Sequence, residues 1–72
     1  MEKVIRDIQR LARQDEGVSL RMVLRAINRM DTASEVDEVM IVTQESQLSQ
    51  YYFEPIMQTL QQRQQQLQQK EG

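Results

Sequence analysis

Arg21, Arg25 and Arg29 stand four residues apart in this 72-residue chain. On a helix that spacing lines three guanidinium groups along one side, a row able to grip the phosphates of a nucleic acid. Asn28, beside the row, could read a base edge. The pattern invites a helix-turn-helix regulator with Gly17 at the turn. Two neighbours resist it: Arg13 falls where a small side chain is needed, and Glu16 where an apolar one is needed. The next corner, near Asp31, would offer Glu35, Asp37 and Glu38, which phosphates repel. With a sequence pI near 5.0, DNA binding through Arg21, Arg25, Asn28 and Arg29 is the second reading.

Other chemistries find less support. The chain has no His and no Cys, which excludes disulfides, thiol nucleophiles and the usual zinc, copper or haem ligand sets. No serine has a base that can be named beside it. Asp37 and Glu38 sit in an open acidic run, where carboxylates stay ionised. A non-catalytic protein without a cofactor is expected. DTASEVDE offers oxygen ligands but lacks the glycine and the distal Glu of a calcium loop. The basic, apolar first segment could lie on a membrane, yet it has no Trp or Phe and Asp7 interrupts it, so no membrane partner is expected. Charges break the run Met1–Leu11, unlike a secretory leader, and the lack of Cys suits a reducing compartment. The cytoplasm is the expected location.

The most concentrated signal is SQYYFEP, which holds Tyr51, Tyr52 and Phe53, all the aromatic residues, and Pro55, the only proline. Rings here serve either as core under a docking helix or as anchors for a partner. Past the proline, Phe53, Ile56, Leu60, Arg63 and Leu67 follow alternating steps of three and four. That is a short coiled-coil seam with Arg63 as its flaw. A shifted register, Phe53, Met57, Leu60, Gln64 and Leu67, replaces the arginine with a glutamine. Tyr51, Tyr52, Phe53, Ile56, Leu60 and Leu67 are therefore the candidate partner-binding residues.

Size points the same way. A lone core in a chain below roughly 70–80 residues seldom supplies more than ~3–5 kcal/mol. Without cross-links or a zinc-type site, a second subunit is the remaining reinforcement. Charge is also divided. Residues 1–30 carry seven cations and four carboxylates, a net +3; residues 31–72 carry two and seven, a net −5. Opposite halves can orient a fold or attract another copy.

The elements follow from periodicity. Met1, Val4, Ile5, Ile8, Leu11 and Ala12 share one face of a first helix, which Gly17 is placed to end in a left-handed conformation. Ser19 can cap a second helix whose inward face is Leu20, Val23, Leu24, Ile27 and Met30, widened by Met22 and Ala26. The two form an antiparallel pair. Asp31, Thr32 or Ser34 can cap a third helix. Its run VMIVT also suits a strand, so residues 39–53 could form a hairpin instead; the helix is preferred. Pro55 suits a first helical position, so a final glutamine-rich helix is expected from there to about Lys70. The expected architecture is an all-α domain over residues 1–53 followed by a possible dimerisation helix over 54–72. The expected function is that of a small adaptor or regulator acting through protein–protein contacts and self-association.

Overall fold

The computed structural model describes residues 2–71, with side chains through residue 69; Met1, assigned above to the first apolar face, lies outside the described residues. Among the described residues the chain is all-α, with no strand. Helix α1 spans Glu2–Ala12, α2 Leu20–Asn28, α3 Ala33–Glu45 and α4 Gln50–Glu71. The VMIVT run is helical. Val36, Val39 and Thr43 recur at steps of three and four and are fully buried, so packing along a helical face overrides the local strand preference. Thr43 satisfies its buried hydroxyl by donating to the Val39 carbonyl one turn back, at 2.8 Å.

Helix ends show how local chemistry sets the corners. Gly17 is not the left-handed residue; Gln14 is, with φ 61°. The Gln14 amide donates to the Leu11 carbonyl and the Asp15 amide to the Arg10 carbonyl, both at 3.0 Å. This is the paired closure of a Schellman ending. The two residues that usually meet there through apolar side chains are Arg10 and Asp15, and they meet as an ion pair at 2.9 Å. Ser19 caps α2, its hydroxyl oxygen accepting from the Met22 amide at 3.3 Å. Of the three candidates before α3, Thr32 is the cap: it accepts from the Glu35 amide at 3.2 Å and donates to the Glu35 carboxylate at 3.0 Å.

Helix α4 starts at Gln50, five residues before the expected point, and Pro55 lies inside it. Proline there removes one amide donor, and its ring crowds the carbonyl of Tyr51. The helix still starts early because the Tyr52 and Phe53 rings pack on the core from its first turn. The amides of both residues close onto the Ser49 carbonyl, at 3.0 and 2.9 Å.

Helices α1 and α4 each pack against α2 and α3, which therefore stand across the bundle from one another. All four contribute to one core: Ile8 from α1, Val23 and Ile27 from α2, Val36 and Val39 from α3, Ile56 and Leu60 from α4 are sealed from water. Each such side chain stabilises the fold by ~1.5–3 kcal/mol relative to exposure. Within the expected dimerisation segment, Ile56, Met57, Leu60 and Leu67 supply a wall of this core.

Candidate protein-contact surface

The core determines which expected contact residues are left for a partner. Ile56, Leu60 and Leu67 face inward, so a seam with another chain along them would require this core to open. The flaw in that seam has an internal use. The Arg63 Nε donates to the Met30 carbonyl just beyond α2, at 2.8 Å, placing a cation at the negative end of the α2 dipole. A second tie joins the Gln64 amide to the Asp37 carboxylate across α3 and α4. The three adjacent rings divide. Tyr52 and Phe53 are half-buried, whereas Tyr51 is 75% exposed and meets the edge of Tyr52 in a T-shaped pair at 5.1 Å.

Two other large apolar side chains remain in water, Met22 at 45% and Ile41 at 55% exposure. Met22 belongs to the stripe expected to face inward, and it faces water instead. It lines a groove of about 450 Å³ between α1 and α2, to which Glu35 of α3 also contributes. Val4, Ala26 and Met30 share that lining with Lys3, Arg25 and Arg29, and Asp7 joins from α1. The groove thus has an apolar bed with the buried Asp7 at its side, and a rim of three cations and the Glu35 carboxylate. Of the candidate nucleic-acid residues, Arg25 and Arg29 reach the groove; Arg21 and Asn28 are exposed but do not line it.

A different electrostatic arrangement holds the α1–α2 corner. Hydrogen bonding from Arg10, then from the Gly17 amide, holds the Asp15 carboxyl below its ordinary range, and the same Asp15 bond raises Arg10. This pair lies on the surface and shapes the turn.

The acidic segment DTASEVDE does not gather into an ion site: among the described residues no three His, Cys, Asp or Glu side chains converge as metal ligands. No described helix is long and apolar enough to cross a membrane. Comparison with protein-family models, with curated proteins and with solved structures finds no match to this chain.

Proposed function

We propose that this chain is a non-catalytic interaction protein, an adaptor or regulator that works through protein–protein contacts and associates with itself. The observation that carries this reading is the α1–α2 groove. Its apolar bed suits aliphatic side chains, and its mixed rim suits a surface that presents both signs of charge. A phosphate backbone would meet Glu35 beside the arginines, which weakens the nucleic-acid alternative. The groove is an open trough without a histidine or a thiol, which gives a reaction little to work with.

Sedimentation velocity over a dilution series tests the proposal, with an electrophoretic shift on duplex DNA as the opposing arm. Association that weakens on dilution, with no shift at low salt, is the expected result. Tight DNA binding that collapses as salt rises would replace this reading with the regulator that uses Arg21, Arg25 and Arg29.

A further inference from the structure

The geometry points to a second copy of this chain as the occupant of the Met22 groove, with the outer face of α3 as the inserted surface. Self-association as proposed above is its premise; the inference adds which two surfaces meet and how.

The outer face of α3 complements the groove. Asp37, Glu38, Ile41, Gln44 and Glu45 are all exposed. On a helix, residues three and four apart are neighbours, so Ile41 has Asp37 and Glu38 on one side and Gln44 and Glu45 on the other. A single exposed isoleucine therefore sits among three carboxylates and an amide, of which Asp37 already accepts from Gln64 of α4 and Glu45 also borders a cleft against α1. At the groove, exposed Met22 has Arg25 one turn along its own helix, and Lys3 and Arg29 in the same lining. Each surface is one apolar knob or bed among charges, and the two rims have opposite predominant sign. Docking Ile41 against Met22 would remove both from water and bring Glu38 and Glu45 of α3 to Lys3, Arg25 and Arg29. Such rim pairs contribute more to orientation and encounter than to affinity.

The two surfaces also dictate the kind of assembly. They belong to α2 and α3, which stand across the bundle, and only Glu35 in the first turn of α3 reaches the groove. A two-fold dimer would need both on one side of the molecule, so the contact runs head to tail. Each copy then offers one groove and one ridge, and assembly continues past the dimer unless it closes into a ring.

Two variants test this directly: Met22→Glu, which spoils the groove but keeps the ridge, and Ile41→Lys, which does the reverse. Both sites are surface-exposed, and circular dichroism with a melting curve checks that each variant folds. Under conditions where the wild type associates, each variant alone is expected to sediment as a monomer, its association weakened by about tenfold or more. Mixed together, they are expected to form a one-to-one dimer that grows no further, because only one intact groove and one intact ridge remain. A mixture that stays monomeric overturns the inference, as do single variants that associate like the wild type; in both cases self-association itself stands. A wild type that is monomeric at every concentration removes both readings. A monomeric wild type that takes up an unrelated acidic amphipathic peptide at Met22 would assign the groove to another protein and overturn the second-copy assignment.

Discussion

Leu60 and Ile41 are both aliphatic residues on helices that pack against each other, yet Leu60 is sealed while Ile41 is more than half in water. Leu60 stands between Thr59 and Gln61, whereas Ile41 stands between Met40 and Val42, so chain neighbours alone would place them the other way round. The difference lies in what each face meets. Helix α4 lies on α2 and α3 together, so Ile56, Leu60 and Leu67 are covered although glutamine dominates the sequence around them. Around Ile41 the surface of α3 stays open to water, and one apolar residue there raises no conflict with folding. The inner stripe of α4 therefore bears on stability, and the outer positions Met22 and Ile41 bear on association.

Cutting the inner stripe gives the largest expected effect. Leu60→Ala should cost about 2–5 kcal/mol, through lost burial and the cavity left behind, read as a lower midpoint in urea. An unfolded or strongly destabilised variant agrees with an intramolecular stripe. A variant with unchanged stability and lost association would return Leu60 to the interface. Next comes the α2–α4 tie. Arg63→Ala removes a charged donor from the Met30 carbonyl and should cost about 1.5–3 kcal/mol by the same measurement. No loss would mean that water replaces the guanidinium without penalty.

The remaining predictions concern the α1 corner, where local hydrogen bonds and an ion pair shape the turn. Gln14→Gly should raise stability by about 0.5–1 kcal/mol, because glycine accepts the left-handed conformation without the strain of a side chain. A destabilised Gln14→Gly variant would show that the glutamine side chain holds the corner. The smallest effect is that of Asp15. Its folded-state pKa is lowered, so its contribution is complete above the ordinary carboxylate range and is lost as pH falls through the lowered value. Asp15→Asn should flatten the acid side of the stability profile and leave the neutral side changed by a constant amount. An identical acid slope in both proteins would sink that assignment.

What could be read from the residues, and what could not, divides along the same line. Ser19 is legible because a hydroxyl before an amphipathic run has one local use; before α3 the sequence offers Asp31, Thr32 and Ser34 alike, and the structure selects Thr32. Gln14 was not, since glycine is the ordinary left-handed residue and Gly17 stood close enough to be taken for it. The start of α4 was misplaced by Pro55: proline's local rule favours a helix beginning there, and the packing of Tyr52 and Phe53 reaches further back. Arg63 looked like a defect only while its partner was sought outside the molecule. Helix α3 looked ambiguous because Ile41 lies outside and Thr43 inside, which blurs the apolar face. The exposure of Met22 depends on how closely α1 approaches α2, and spacing along one helix carries no information on that distance.

The division between an inner stripe for folding and outer positions for association is tested most directly by following backbone amide NMR signals as the wild-type protein is diluted. The account predicts that dilution moves the signals of residues 21–29 and 37–45, together with those around Lys3. Signals of 56–67 should stay still. Movement concentrated in 51–67, with α2 and the outer face of α3 unchanged, would contradict it.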